Sequence, residues 1–241
     1  MKKISSLSIF FPFLNDEATV SRQIICAYSI GKEVASDLEV IALHGGNSRD
    51  KTFKKIKEMK MIFPNLKIIN RPKNNEGYAV IKYGFKKATK DWVFYTDGDA
   101  QYHLEENLPK LVKKQMETGA TIINGYKIRR HDNILRVLLG NIYRLLAKFI
   151  FKLPIRDIDC DFRLIKKSLL NKVNLESKDA SILTELIKKL QFAGGKFSEV
   201  PVGHYSRTYG KSNYKILDLI KEKILGDIKL YLSLRKKNLI K

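Results

Sequence analysis

The chain has 241 residues, with 46 Lys and Arg against 25 Asp and Glu, a formal net charge of +21. At 44% hydrophobic and 29% charged residues it is neither an intrinsically disordered chain nor a multi-span membrane protein, and it is long enough for one large domain with a full core. The charge implies a polyanionic partner (nucleic acid, an anionic membrane surface or phosphate-bearing substrates) beyond whatever part is Lys-rich composition on a solvated surface.

The first two-thirds alternates short apolar runs with helical stretches. Residues 7–11 form a first strand ending at Pro12, and a helix follows over about 17–36. A second buried strand over 38–43 closes at Gly45 and Gly46. A helix over about 52–62 leads to a third strand at 66–69, then a helix over about 78–89. The fourth strand, 92–96, precedes a helix over about 104–117, and a fifth strand spans 121–124. This alternation predicts βαβ units and a mainly parallel, doubly wound α/β sheet flanked by helices. Ligand chemistry then belongs beyond the carboxyl ends of the strands, in residues 12–17, 45–52, 70–77 and 97–101. No GxGxxG follows the first strand and no GxxxxGK[ST] occurs, which disfavours a dinucleotide fold and a P-loop. Cys26 and Cys160 lie far apart and form no CxxC, so neither a disulfide framework nor a zinc site is expected, and a reducing cytoplasm fits. The basic N-terminus lacks a small-residue cleavage site and is not read as a signal peptide. No run of about 18 uncharged apolar residues is present to span a bilayer.

Asp97-Gly98-Asp99 follows the fourth strand directly. Two carboxylates separated by one Gly can converge on a hard cation, Mg²⁺ or Mn²⁺, which takes one or two carboxylates together with substrate phosphates. A plain Asp-Gly turn is the alternative reading of these residues.

With its surroundings, this segment resembles the family 2 glycosyltransferases of GT-A fold, within them the polyprenyl-phosphate (dolichol-phosphate-type) sugar transferases. The strongest stretch is WVFYTDGDAQYHLEENL at 92–108. The opening residues 11–17 (FPFLNDE), residues 71–85 (RPKNNEGYAVIKYGF), Gly125 to Arg130, Asp159 to Leu164, Glu199 to Val202 and Arg207 to Ser212 follow in the family order. The resemblance covers roughly residues 5–214 and implies an inverting, metal-dependent glycosyltransferase with Asp97 and Asp99 at the Mg²⁺ or Mn²⁺. Pro12, Asn15, Asp16, Asn47 and Asp97 would bind a UDP-, GDP- or dTDP-linked sugar, and Gln101 would orient the sugar or acceptor. The chain departs from the family at Gly45 and Gly46, where an acidic pair usually helps hold the base and ribose. It departs also at Leu14, at Asp16 in place of Glu, and at Asp161 in place of Gly.

The remaining groups follow from the chemistry of a diphosphate leaving group. Negative charge accumulates there as the C1–O bond breaks, and a cation on Asp97 and Asp99 would neutralise it. Arg207 and Lys211 lie in a loop able to fold over the diphosphate, and the planar Arg fork matches phosphate oxygens. Lys127, Arg129, Arg130 and Arg163 form a basic group suited to an acceptor phosphate, which needs positioning and no deprotonation. A hydroxyl acceptor would need a base, for which Asp159, Asp161 and Glu185 are the candidates. Asp159 and Arg163, four apart, could instead pair across a helix turn. His44 could contact the base, though a His at a strand end more often sits at the surface.

Two segments suit a membrane surface. Residues 134–153 are apolar but carry Arg136, Arg144, Lys148 and Lys152 at multiples of four, a basic stripe on an apolar cylinder, so 133–153 is a candidate membrane-interface helix within a domain spanning 1–214. Residues 215–241 form an amphipathic, basic C-terminal helix. The C-terminal helix equally suits packing on the protein, on a second copy in a homo-oligomer or on a membrane partner protein. The expected acceptor is a polyprenyl phosphate, reached by a cytoplasmic protein peripheral at the inner membrane face. A hydroxyl acceptor in cell-surface polysaccharide synthesis, and a non-catalytic relative with a degenerate nucleotide site, remain as alternatives. No basic-aromatic or helix-turn-helix signature supports nucleic-acid binding.

Overall fold

Neighbouring parallel strands need crossover helices, and the computed structural model builds the sheet that way. It describes residues 2–46, 48–71, 77–129, 134–207, 209 and 216–240, with backbone alone for 129, 134–139 and 216–221. The strands are β1 (Ile4–Phe13), β2 (Ala35–His44), β3 (Lys67–Asn70), β4 (Trp92–Thr96), β5 (Ile122–Arg129), β6 (Phe162–Lys166) and β7 (Phe197–Gly203). The helices are α1 (Val20–Val34), α2 (Thr52–Ile62), α3 (Ile81–Lys87), α4 (Leu104–Thr118), α5 (Ile134–Phe151), α6 (Lys167–Leu170), α7 (Ile182–Phe192) and α8 (Ile216–Lys236).

One seven-stranded sheet has the order β3-β2-β1-β4-β6-β5-β7. All its pairings are parallel except those of β6, which runs against both β4 and β5. The mainly parallel α/β expectation holds. β6 and β7 were not among the five expected strands, and a short apolar run such as FRLIK carries no sign of direction in any case. The expected helix over 78–89 is instead a 3₁₀ turn at Gly77–Val80 leading into α3. β1 runs past the expected stop at Pro12. Its pairing with β4 ends at Phe10, while that with β2 continues to Phe13, so Pro12 falls where β1 has a neighbour on one side, the position a strand tolerates for a residue without an N–H.

Both faces of the sheet are covered, which is why its central strands read as nearly unbroken apolar runs. Alternate β1 side chains enter opposite layers. Leu7, Ile9, Phe11 and Phe13 join Ile24 of α1 and Leu108 and Leu111 of α4. Phe10 joins Phe85 of α3, Tyr95 of β4 and Leu186 of α7. α8 belongs to this second layer through Leu230 and Leu234, so the C-terminal helix packs on the body of the protein.

Gly84 marks the tightest approach of α3 to the sheet. A Cβ there would stand 2.4 Å from the Phe10 ring, itself held against Phe85 at 5.1 Å and Tyr95 at 5.5 Å between centroids. Gly84→Ala gains helix propensity yet overpacks this junction, and we expect a net loss of about 1–2 kcal/mol, read as a lower urea midpoint at unchanged slope.

Candidate active site

β1 and β4 are parallel neighbours whose connections run in opposite directions along the sheet, β1 to β2 and β4 toward β5, so a crevice opens beyond their carboxyl ends. Because β6 is antiparallel to β4, with Phe162 opposite Thr96, the residue entering β6 lies beside the residue leaving β4. The fold therefore brings Asp16, Asp97, Asp99 and Asp161 into mutual electrostatic range. Desolvation holds the Asp97 carboxyl well above the usual carboxylate range, and the charges of Asp161, Asp99 and Asp16 add to the shift. Desolvation also carries Asp16 up to about 7 against the pull of the Leu14 amide, with Asp99 adding to the rise and Arg207 opposing it.

The Asp97-Gly98-Asp99 turn is held from beneath. Gln23 of α1 donates to the Asp97 carbonyl at 3.1 Å and Thr19 donates to the Gly98 carbonyl at 2.7 Å. A Cβ on Gly98 would lie 2.3 Å from the Phe13 ring and 2.8 Å from the Pro12 carbonyl, so Pro12 serves as the floor of the turn. Ala100 turns through a left-handed conformation, φ 60°, and the Gln101 amide donates to Asp99 Oδ1 at 3.2 Å.

A strap from β7 crosses this turn. Tyr205 N donates to the Gln101 carbonyl at 2.9 Å, and the Gln101 side chain donates to the Tyr205 carbonyl at 2.9 Å. Tyr205 stacks on His103 at 4.0 Å and its hydroxyl donates to Glu106 at 2.8 Å. Arg207 then reaches Asp99 Oδ2 at 2.5 Å. The structure thus brings Asp97, Asp99, Gln101 and Arg207 together, with Gln101 as an anchor of the strap.

On the nucleotide side, the loops after β1 and β2 are latched to each other. Asn15, in a left-handed conformation (φ 59°), accepts from the Arg49 amide at 2.7 Å, and the Asp16 amide donates to Thr52 at 2.7 Å. Asn15 thereby holds the loops together. His44 is buried, with Nδ1 2.8 Å from Asn70 Oδ1 and Nε2 2.9 Å from Ser48 Oγ, and stacks on Phe53. The surface reading of His44 is corrected, and both of its nitrogens are engaged inside the protein. Asn47, Arg130 and Lys211 lie outside the described residues, as do residues 72–76 and the Arg129 side chain.

Arg163 requires the clearest correction. It is fully buried, and its guanidinium donates inward to Asn124 Oδ1, the Tyr95 hydroxyl (each 2.5 Å) and the Ile158 carbonyl. Tyr95 in turn donates to Asp161 at 3.2 Å. Arg163 fixes the β4–β6 junction under Asp161 and offers no fork to an acceptor phosphate. Nor does it pair with Asp159, because residues 159 and 163 do not share a helix. Lys127 is half-buried on β5 and donates to the Asp159 carbonyl at 2.7 Å. The Asp159 carboxylate is paired with Lys223 of α8, which sequence reasoning missed. Glu185 lies elsewhere. It is bonded to Lys189 at 2.5 Å and accepts from the amides of Glu176 and Ser177, a structural cap.

The two amphipathic helices pack on each other. Tyr143 of α5 donates to Asp227 of α8 at 2.7 Å and Phe151 meets Tyr231 edge-on. The anticipated basic stripe on α5 is broken, because Arg144 turns inward to Asp157 at 3.4 Å and Lys152 lies past the helix end. Ile142, Leu145, Leu146, Phe149 and Ile150 are exposed, Phe149 by 83%. α8 turns polar residues inward and apolar ones outward. Lys223 and Asp227 are buried, while Ile224, Leu225, Ile228 and Leu232 are about half exposed. No helix among the described residues is long and apolar enough to cross a membrane.

A divalent cation fits the residues present. Asp97 and Asp99 supply oxygen donors only, suited to Mg²⁺ or Mn²⁺, and the mutual repulsion that raises Asp97 is relieved by added positive charge. Among the described residues no three His, Cys, Asp or Glu form a metal cage. A two-carboxylate seat that shares its cation with substrate phosphates needs none.

The family described as "Glycosyl transferase family 2" matches residues 8–173. Among curated proteins, the undecaprenyl-phosphate 4-deoxy-4-formamido-L-arabinose transferase of Pseudomonas fluorescens is 26% identical over 220 residues, covering 90% of this chain and 62% of the relative. That of Proteus mirabilis is 26% identical over 220 residues, covering 91% and 66%. The chain thus spans just under two-thirds of the length of these relatives. Glucosyl-3-phosphoglycerate synthase from Mycobacterium tuberculosis, solved with Mn²⁺, UDP and glucosyl-3-phosphoglycerate, superposes with a TM-score of 0.64 at 17% identity, over 93% of this chain and 79% of that one. A mannosyltransferase from Pyrobaculum calidifontis, solved with GDP-Man and Mn²⁺, gives 0.65 at 16%, over 95% and 65%. These likenesses establish the GT-A fold.

The α5–α8 seam has a pH signature. Burial raises the Asp227 carboxyl from 3.8 to about 6, with Asp159 adding to the rise and Tyr143, Thr184 and Lys223 opposing it. The native state therefore holds a proton that the unfolded chain has released. The resulting stability is full below pH 4 and lost as pH rises through 6. Wild-type stability should fall relative to Asp227→Asn by about 2–3 kcal/mol between pH 4 and 7, measured by urea unfolding at several pH values. A pH-independent difference would contradict this.

Proposed function

The chain belongs to glycosyl transferase family 2, and we propose that it moves a sugar from a nucleotide-diphosphate sugar to a polyprenyl phosphate, with inversion, at the inner face of a membrane. The observation that carries the reading is the Asp97–Asp99 turn, strapped by Arg207, beside Lys127 and two helices that expose apolar faces. The curated relatives named above, whose names place undecaprenyl phosphate in the reaction, support the acceptor class.

Each residue has a task in that reaction. Asp97 and Asp99 would hold Mg²⁺ or Mn²⁺, which when bound neutralises charge on the leaving diphosphate. Arg207 turns from Asp99 to the diphosphate oxygens, where its planar fork makes paired bonds. Gln101 keeps the strap in register through its two bonds to Tyr205. Lys127 orients an acceptor phosphate oxygen for in-line attack on C1 as the C1–O bond to the diphosphate breaks. The attacking group is already anionic, so no general base is required. Asp16, at the rim of the nucleotide loops, faces the same crevice. UDP-, GDP- and dTDP-sugars all remain candidate donors, because the Gly45–Gly46 segment lacks the acidic pair usual in the family.

In this reading the protein works peripherally at the cytoplasmic side of the membrane. The inverted face of α8 and the exposed face of α5 suit an anionic lipid surface, with Lys148, Lys229, Arg235 and Lys236 exposed at its edges and a net charge of +21 behind them. A hydroxyl acceptor is the second reading. Asp161 is its base candidate, since Asp159 is paired with Lys223 and Glu185 caps a loop.

A donor screen with undecaprenyl phosphate and Mn²⁺ tests the reading. One nucleotide sugar should yield lipid-linked sugar, and Asp99→Ala should lower turnover by at least about 100-fold, the scale of losing one preorganised electrostatic group, with an unchanged circular dichroism spectrum. Transfer to a saccharide hydroxyl alone would favour the second reading, and no nucleotide binding at all would mark a degenerate site. In flotation with phosphatidylglycerol-containing liposomes, wild type should rise with the vesicles and Leu145→Asp/Phe149→Asp should stay behind. Equal recovery would refute the membrane face.

A further inference from the structure

We propose that Lys223 of α8 binds the acceptor phosphate together with Lys127, so that the helix exposing apolar residues to the bilayer also supplies a headgroup ligand inside the site. This inference rests on the polyprenyl-phosphate reading above. A lysine nearly excluded from water requires a compensating partner. Lys223, 8% exposed, has the Asp159 carboxylate and stands over the Tyr143 ring with its ammonium 4.8 Å from the centroid. The carbonyl of that same Asp159 accepts from Lys127 Nζ at 2.7 Å. One residue therefore gathers two ammonium groups, Lys223 at its carboxylate and Lys127 at its carbonyl.

Both lysines act on the reaction centre. Each lies within electrostatic range of Asp161, and Lys127 of Asp97 as well. Through Lys127 and Asp161 the seat thus adjoins the acidic residues of the Asp97–Asp99 turn. The neighbours of Lys223 in sequence, Ile224 and Leu225, are about half exposed, and Ile228 continues the same outward face. A molecule with an apolar tail and an anionic head matches this layout. The tail lies along the outward face, and the phosphate meets the inward ammonium. A phosphate arriving there takes the two lysines from Asp159, much as the donor diphosphate takes Arg207 from Asp99. The same seat would accept a free phosphate, so the assay must separate headgroup from tail.

The test is equilibrium binding of farnesyl phosphate, a soluble short-chain polyprenyl phosphate, with farnesol and inorganic phosphate as comparisons. Lys223→Gln, one atom shorter, removes the charge but keeps an N–H donor toward Asp159, so it should fold as wild type does. It should weaken farnesyl phosphate binding at least tenfold while binding Mn²⁺ and the nucleoside diphosphate of the accepted donor within twofold of wild type. Lys223→Arg should restore most of the loss. Farnesol should bind weakly to every form, and inorganic phosphate should be weakened by the same substitution. Wild-type affinity for farnesyl phosphate in Lys223→Gln, with wild type itself binding, would overturn the inference alone. Parallel loss of nucleotide and farnesyl phosphate binding would reduce Lys223 to a structural role and overturn it too. Failure of wild type to bind farnesyl phosphate would overturn the acceptor reading and this inference with it.

Discussion

The structure turns on the crowding of carboxylates at the exit of β4. Asp97 and Asp99 leave that strand, Asp16 leaves its parallel neighbour β1, and Asp161 enters through the reversed β6. The strand order makes this convergence unavoidable; burial first, and the neighbouring carboxylates in addition, raise the carboxyls of Asp16 and Asp97. A site of this kind holds together only with cations nearby. The chain supplies them from three separate elements: Arg207 on the strap, Lys127 on β5 and Lys223 on α8. The fully buried Arg163 underpins the arrangement without facing the crevice. A part of the net charge of +21 is therefore internal counter-charge to an acidic centre, in addition to any outward attraction for polyanions.

Arg207 illustrates how that counter-charge can serve chemistry. Its guanidinium lies 2.5 Å from Asp99, a residue suited to a divalent cation. Arg207 and a bound cation would compete for Asp99, and a diphosphate would resolve the competition because it attracts both. The strap is short and pinned at Tyr205 by two bonds to Gln101, a ring stack on His103 and a hydroxyl bond to Glu106. Arg207 therefore needs only a side-chain rotation, with little backbone ordering, to change partners. A pre-positioned group of this sort loses less entropy on engaging phosphate than one carried on an unanchored loop.

The α/β architecture and the position of the D-x-D turn at the ligand end of the sheet were legible because both leave a local trace. Alternating apolar runs and helical stretches specify βαβ units, and a D-x-D placed directly after a strand falls at the ligand end of the sheet. The short run at 162–166 was not read as a strand, and strand direction leaves no local trace, so the placement of Asp161 beside Asp97 was hidden. Arg163 was misread for a related reason. Its position in a conserved-looking block gave its neighbourhood, but burial follows from the packing of Tyr95, Asn124 and the 158 carbonyl around it. His44 likewise sits inside, held by Ser48 and Asn70, residues 4 and 26 positions away. Lys223 was missed because the C-terminal helix was read only for its apolar stripe and its basic run, and an inward Lys leaves no local trace.

The inverted face of α8 carries the last step of the argument. A helix on a water-soluble surface ordinarily buries its apolar stripe and solvates its charges. α8 buries Lys223, Gly226 and Asp227 and exposes Ile224, Leu225, Ile228 and Leu232, while Leu230 and Leu234 keep it docked. Gly226 permits the close approach, since a Cβ there would lie 2.5 Å from Asp179. The inward polar groups are accounted for by Tyr143 and Asp159. The outward apolar groups have no comparable partner among the described residues, and they continue the exposed apolar residues of α5. An apolar surface of this extent is tolerated in water only at a cost, and exposed patches on soluble proteins concentrate at interaction sites. The exposed Lys148, Lys229, Arg235 and Lys236 at its margin fit lipid headgroups. The same helix pair thus presents an apolar surface on one side and borders the acidic centre on the other, the layout that the proposed transfer of a sugar to a phosphate on an apolar tail would use.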